Sequence, residues 1–386
     1  MRKIVTIGDL GTVITGKTPP TTNKNYYGDY AVFIKPTDIS EQSKYTYETE
    51  EMYSKLAAEK YASSLIPRGA ICIPCIGTIG TKMTMAPCDC YTNQSINSIV
   101  CNENFDNEYV YYLIKNFLPG LKAYNLGTAS GREYVSKSNF EKIELEVELD
   151  KDVQKRIGLF LSRYDSLIEN YQKQIKLLEE AAQRLYKEWF VDLHFPGHEN
   201  TKIVNGMPEG WEKKCVDSIY SIKYGKNLST KLITADGDYP VYGANGVIGY
   251  YNKANCNEQV VLITSRGNGS GDVLMTYHRD AFITNNSFIV LPLDEYDYCQ
   301  LPFTYQFLKN ANFRSVRTGA AQPQLTNQSI HTVNVVLPQK EFIVEYCKRT
   351  LRSNDVIIHL RNQIRLLTEA RNRLLPKLMS GEIVLS

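Results

Sequence analysis

The segment Gly11-Thr-Val-Ile-Thr-Gly16-Lys17-Thr18 has the glycine, lysine and hydroxyl spacing of a phosphate-binding loop. Such a loop holds phosphate only where it opens a helix whose free amides face the anion. Here Pro19 and Pro20 follow at once, and Val13 and Ile14 read as strand, so no nucleotide site is expected. Cys72 and Cys75, with Cys88 and Cys90, have the spacing of half a zinc or redox centre. Their counterparts later in the chain, Leu262 and Ser265, are not such ligands, which favours buried structural cysteine. The five histidines are scattered, and no nucleophile elbow, paired-carboxylate nuclease pattern or methyl-donor glycine motif occurs. The expectation is a chain with no catalytic centre, no metal and no cofactor of its own.

The polar residues point to nucleic acid. Residues 109–132 contain no Asp or Glu but carry Lys115, Lys122 and Arg132. Residues 300–339 again contain none and carry Lys309, Arg314 and Arg317. Two acid-free basic windows suit two phosphate-facing surfaces, because neutralising phosphates releases their counterions. Beside the windows are glycine-rich loops with polar side chains, Thr78, Thr81 and Lys82 in the first and Arg266, Asn268 and Ser270 in the second. Glycine lets backbone approach a duplex closely, and Arg or Asn forms paired hydrogen bonds with guanine or adenine edges. Asn93 and Gln94, like Asn285 and Asn286, offer the same chemistry, although Asn beside a strand also serves as a turn residue.

Elements must position these side chains, and the chain is organised around one stretch that it contains twice. Residues 154–190 read as a long helix with two apolar heptad tracks, Ile157, Tyr164, Tyr171, Leu178 and Leu185 on one and Leu161, Ile168, Ile175, Ala182 and Trp189 on the other. That is the pattern of a coiled-coil seam. Between the tracks lie Arg163, Asp165, Glu169, Lys173, Glu179 and Glu180, expected on polar faces turned to water or to another protein. At ~1.5 Å per residue the helix should span about 55 Å. The second copy, residues 362–378, keeps the register at an offset of 189, with Ile364 for Ile175, Leu374 for Leu185, Leu378 for Trp189 and Arg371 in place of Ala182. Thr350 and Ser353 leave its first turns thin. An apolar stripe needs cover, and each copy is the expected partner of the other.

The repeat extends beyond the helices. ITGK at 14–17 matches IKYGK at 222–226, so Lys17 and Lys226 occupy matching places and both join the candidate DNA contacts. AICIPCIGTIG at 70–80 matches VVLITSRGNGSG at 260–271, TNQSINSIV at 92–100 matches TNNSFIV at 284–290, and YYLIKN at 111–116 matches YQFLKN at 305–310. Gly127 and its following loop match GAAQPQLT at 319–326. Short β-branched runs broken by Gly, Pro and Asn predict a strand-rich first module with helices at 56–61 and 108–116. The expected divisions are a first module at 1–150, a long helix at 151–195, a turn-rich linker at 196–210, a second module at 211–338 and a second long helix at 339–386.

A chain of 386 residues is long enough for two or more domains. Its net charge of +2 argues neither for nor against nucleic acid, since binding depends on where charge sits. No run approaches a membrane span, and Asp9 precedes any signal-peptide core, so a cytoplasmic protein with reduced cysteines is expected.

In combination, YPVYGANGVIGY at 239–250, TNNSFIV, GAAQPQLT, the MPEGW junction, the helix ending LYKEWF and the terminus LLPKLMSGEI resemble the specificity subunit of type I restriction-modification systems, across both halves of the chain. Tyr242 and Asn245 in the first of these motifs, and Gln322 and Gln324 in GAAQPQLT, complete the candidate DNA-binding set. The first module is less typical, with YYGDYAVFIKPTDI where YGANG would stand. The resemblance implies an α+β fold in which two target recognition domains are joined by two long antiparallel helices in a coiled coil, with an internal pseudo-two-fold repeat. It implies a non-catalytic reader of double-stranded DNA, each domain contacting half of a split, asymmetric site. The helices would act as a spacer and dock two methyltransferase subunits. S-adenosylmethionine would belong to those partners, and ATP with Mg to separate restriction and translocation subunits. Two modules held apart would read major-groove faces about one turn, roughly 34 Å, apart. Two other classes are compatible with the residues: the specificity subunit of a fused type II system that cuts on both sides of its site, and a helical scaffold that binds only proteins.

Overall fold

The computed structural model describes residues 2–127, 133–319 and 322–385. Arg132, one of the candidate DNA contacts, lies outside them. The chain forms two compact units, Met1–Asn170 with Gln363–Ser386, and Tyr171–Asn362. Each unit therefore contains one strand-rich module and a stretch of each long helix.

The two units repeat one topology. In the first, a four-stranded sheet runs in the order Gly11–Thr15, Ile96–Cys101, Ile71–Pro74, Thr84–Met85. In the second the order is Tyr220–Tyr224, Ser287–Pro292, Val261–Thr264, Val273–Met275. Ile71–Pro74 and Val261–Thr264 are buried at every residue, which explains why their sequences run apolar up to Thr264, whose hydroxyl is hydrogen-bonded, rather than alternating. A three-stranded sheet accompanies each. Tyr27–Ile34 is the middle strand in the first unit and Tyr239–Gly243 in the second, each with one parallel neighbour, Tyr91–Thr92 or Phe282–Ile283. The atypical YYGDYAVFI segment thus fills the place of the YPVYG strand. The first and last strands of each module pair antiparallel, Arg2–Thr6 with Glu144–Glu148 and Glu212–Cys215 with Asn334–Leu337. That pairing launches each long helix directly from the module it follows.

The long helices are Lys151–Tyr186, continued by a π-turn at Lys187–Val191, and Lys340–Ser380. In the first unit Ile157 and Leu161 share a core with Leu375, Leu378 and Met379. In the second, Tyr186, Trp189 and Phe190 share a core with Ile343, Tyr346 and Cys347. In both units the start of one helix meets the end of the other, so they run antiparallel. Along the predicted tracks Ile157, Leu161, Ile168, Ile175 and Trp189 are buried, and Tyr164, Tyr171, Leu178, Ala182 and Leu185 are half-buried.

One residue assigned to the polar faces is not there. The Asp165 side chain is only 6% exposed, accepts a hydrogen bond from the Tyr112 hydroxyl and forms an ion pair with the equally buried Arg371. The helix Asn107–Phe117 of the module covers that face, and a heptad pattern registers only the seam between the long helices. The linker also holds more order than its composition implies. Ile203–Val204 and Met207–Pro208 form a two-residue hairpin, with Asn205 at φ 50° and Gly206 at φ 79°, the left-handed pair such a tight turn requires. Among the described residues no helix is long and apolar enough to cross a membrane.

Candidate nucleic-acid interface

In the second unit, backbone hydrogen bonds stitch the candidate residues into adjoining turns. The Lys226 amide donates to the Ile283 carbonyl at 2.9 Å, and the Asn285 amide to the Lys226 carbonyl at 3.0 Å. Ser265 donates its amide to Asn286 O at 2.8 Å and its hydroxyl to Asn285 O at 3.1 Å. The Thr264 hydroxyl donates to Ala244 O at 2.7 Å, which fixes the turn bearing Asn245. Gly267 N–H reaches Pro323 O at 3.0 Å and Leu325 N–H reaches Ser265 O at 2.7 Å, tying in Gln322 and Gln324. Lys226, Asn245, Arg266, Asn268, Arg314, Gln322 and Gln324 are exposed on these turns, and Asn285, Asn286 and Arg317 are half-buried.

The charges of this cluster are not equally free. Arg314 donates to Asp272 Oδ1 from Nη2 at 2.5 Å and from Nε at 3.1 Å. The window 300–339 has no acid in sequence, yet the fold brings one to it. Arg317 donates to the Arg314 carbonyl at 3.1 Å and to the Asn268 carbonyl at 3.4 Å. Lys309 is exposed, its ammonium 5.4 Å from the Tyr305 ring centroid. The Arg266 side chain has no hydrogen bond or ion pair to the described residues.

Two residues leave the set. Tyr242 is only 3% exposed, and its hydroxyl accepts from the Tyr277 amide at 3.0 Å and meets His278 Nδ1 at 3.0 Å. Its strand is paired on both edges and buried on both faces from Pro240 to Gly243, so the ring has no outward place to take. Ser270 is fully buried and donates to the Ser265 carbonyl at 3.2 Å, shaping the loop from inside. Both support the surface without belonging to it.

The first unit repeats the stitching. Lys17 N–H donates to Thr92 O at 2.9 Å, Cys75 N–H to Ser95 O at 2.7 Å, Gly77 N–H to Glu133 O at 3.0 Å and Val135 N–H to Cys75 O at 2.9 Å. Lys17, Thr78, Thr81 and Gln94 are exposed on these turns, and Lys82 and Asn93 are half-buried. The Asn93 side chain accepts from the Ser95 amide at 3.1 Å, the turn-forming role. The repeated Gly-Lys pair has a packing cause. A Cβ on Gly16 would stand 2.1 Å from Thr92 O, and one on Gly225 would stand 2.3 Å from Thr284 O. With Gly11–Thr15 a paired strand, the phosphate-loop spacing is a by-product of that close approach.

Cys72 lies with Cys90 in one core cluster and Cys75 in another, so the paired spacing does not converge on one centre. Burial pushes the Cys72 and Cys75 thiols up to about 12. His194 and His198, four apart, bring their rings within 5.3 Å, a proximity passed over in the sequence. Among the described residues no group of three or more His, Cys, Asp or Glu side chains is placed to hold a metal ion.

Lys115 is half-buried, with its ammonium 5.4 Å from the Tyr111 ring centroid. Burial pushes its pKa down to about 8, with Asp165 pulling it up and Arg371 and Lys44 pushing it down. A lysine so placed makes a poor mobile phosphate contact. Between about 8 and the ordinary 10.5 the unfolded chain binds more protons than the folded one, so this group adds stability as pH rises through that window. Urea denaturation from pH 7 to 10 should therefore show a rise in wild type that Lys115→Met lacks, with the variant at least as stable as wild type at pH 7. A parallel pH profile for the two proteins would reject this.

The family model of the type I restriction modification DNA specificity domain matches residues 2–180 and 208–365. The chain is 26% identical to the Type I restriction enzyme MjaIX specificity subunit of Methanocaldococcus jannaschii, over 98% of this chain and 92% of that one. It is 34% identical over 173 residues to the Type I restriction enzyme HindI specificity subunit of Haemophilus influenzae, 42% of this chain and 36% of that one. The crystal structure of a type I restriction-modification S subunit from M. genitalium shares the fold, with a TM-score of 0.57 at 18% identity over 98% of this chain and 96% of that one.

Proposed function

The chain belongs to the type I restriction-modification DNA specificity family, and on that premise we propose that each of its two target recognition domains reads one half of a split, asymmetric duplex site. The observation that carries this reading is the duplicated cluster of turns. The same backbone bonds in both units present exposed polar and cationic side chains, and those side chains differ between the units. A fixed scaffold with variable side chains is what reading two unlike half-sites demands.

In this reading the chain does no chemistry itself. The paired helices set the spacer between half-sites and dock two methyltransferase subunits, which carry S-adenosylmethionine and methylate adenines. Separate restriction subunits supply ATP-dependent translocation and cleavage. Joining two modest half-site contacts in one chain makes the second effectively intramolecular, which turns them into tight and specific binding. The direct test is to map methylated adenines in DNA from cells expressing this chain with its methyltransferase. A split motif with a fixed spacer is expected, and a continuous motif or no motif would reject the reading.

A further inference from the structure

Each unit carries one isolated β-bridge at the same place in its cluster of turns, Ile76 with Tyr134 in the first and Arg266 with Gln324 in the second. Three backbone hydrogen bonds recur around the two bridges, while the amide that closes the loop differs, Gln324 N–H donating to the Thr318 carbonyl and Tyr134 N–H to Asn125 Oδ1. Gly77 to Glu133 and Gly267 to Pro323 both measure 3.0 Å, Val135 to Cys75 measures 2.9 Å and Leu325 to Ser265 2.7 Å, and Leu126 to Tyr134 and Thr318 to Gln324 both measure 2.9 Å. In each unit the bridge is followed by a glycine in the left-handed region, at φ 85° for Gly77 and 84° for Gly267. Nothing lies within 4 Å of where either glycine's Cβ would stand, so both bridges border open surface.

Residues opposed across an antiparallel bridge put their side chains on the same face. The scaffold is shared while the chemistry of the pair changes, an aliphatic and phenol pair in one unit and a cation and amide pair in the other. Several neighbouring polar side chains are already committed, Arg314 to Asp272, Arg317 to two carbonyls and Asn93 to its own turn. In the major groove, Arg and Gln make paired hydrogen bonds to guanine and adenine, whereas an apolar side chain meets the thymine methyl.

We propose that this bridge holds the specificity-determining pair of each domain: Ile76 and Tyr134 read an A·T base pair in the first half-site through the thymine methyl, and Arg266 and Gln324 read a purine edge in the second. The proposal rests on the reading that each domain contacts one half-site. It assigns readout to Ile76 and Tyr134, which no polar pattern in the sequence marks.

The test is motif mapping with the full chain and its methyltransferase, comparing wild type with the double variant Ile76→Arg/Tyr134→Gln and with the milder Ile76→Thr. The expected result is a roughly ten- to hundred-fold loss of preference at one position of the first half-site, with the second half-site unchanged. Where the double variant gives no methylation, Ile76→Thr decides, and competition among duplexes changed at single base pairs reads the same preference in the assembled complex. A first half-site read unchanged by Ile76→Thr and by the double variant overturns the proposal. A wild-type chain that gives no split motif would instead overturn the reading beneath it, so the two failures are distinguishable.

Discussion

Replacing Asp165 with leucine, or Arg371 with methionine, is expected to destabilise the first unit by about 3–5 kcal/mol. The two side chains are 6% and 7% exposed, and they are each other's counter-ion. Tyr112 donates its hydroxyl to the carboxylate, and the Arg371 Nε and Nη2 groups donate to Asn372 Oδ1 at 3.2 and 3.0 Å. Removing one partner leaves a full charge in a place that water does not reach, and that penalty exceeds the loss of the pair itself. The double variant Asp165→Leu/Arg371→Met should recover most of the loss, because an apolar pair of similar volume has no charge to desolvate. The repeat supports this: at the offset of 189, Asn354 stands for Asp165 and Ala182 for Arg371, so the second unit is built with a neutral counterpart. Urea denaturation in a double-mutant cycle measures the coupling, and single substitutions that each cost less than ~1 kcal/mol would show the charges to be solvated.

That ion pair also marks where sequence reading stops. The heptad tracks, the strand runs and the order of the repeat were legible because periodicity records which face of an element is covered, and the seam residues from Ile157 to Trp189 lie where it places them. Asp165 was not legible, because its cover comes from a helix some fifty residues earlier and leaves no period in the long helix. Tyr242 was misplaced for a related reason, since the family motif that brought it into the set carries no record of the two faces its strand buries. The basic windows recorded charge along the chain, whereas the field at Arg314 is set by Asp272, brought in across the fold. What the sequence did carry about the interface was its scaffold. Gly16 and Gly225, and Gly77 and Gly267, recur because neighbouring backbone or a left-handed turn demands them, and that recurrence located the turns before any side chain could be placed.

Within the cluster so located, three cations are expected to respond differently when removed from the assembled complex. Arg266→Ala should weaken binding at the second half-site by about 1–3 kcal/mol, roughly 5- to 150-fold, with discrimination lost at one base pair and the first half-site still read. Its guanidinium is exposed and uncommitted among the described residues, so it is available to a base edge. Arg317→Ala should weaken the second half-site without singling out a base pair, because Arg317 joins the turn at Phe313–Val316 to the Asn268 carbonyl and its loss loosens both. Lys309→Ala should leave sequence preference intact and reduce the slope of log affinity against log salt by about one, the signature of a single phosphate contact. Fluorescence anisotropy with duplexes altered in one half-site at a time, at two salt concentrations, separates the three outcomes. Unchanged binding in both arginine variants would mean that the readout surface is not where these stitched turns present it, since Arg266 and Arg317 stand on the two loops that the Gly267–Pro323 and Leu325–Ser265 backbone bonds join.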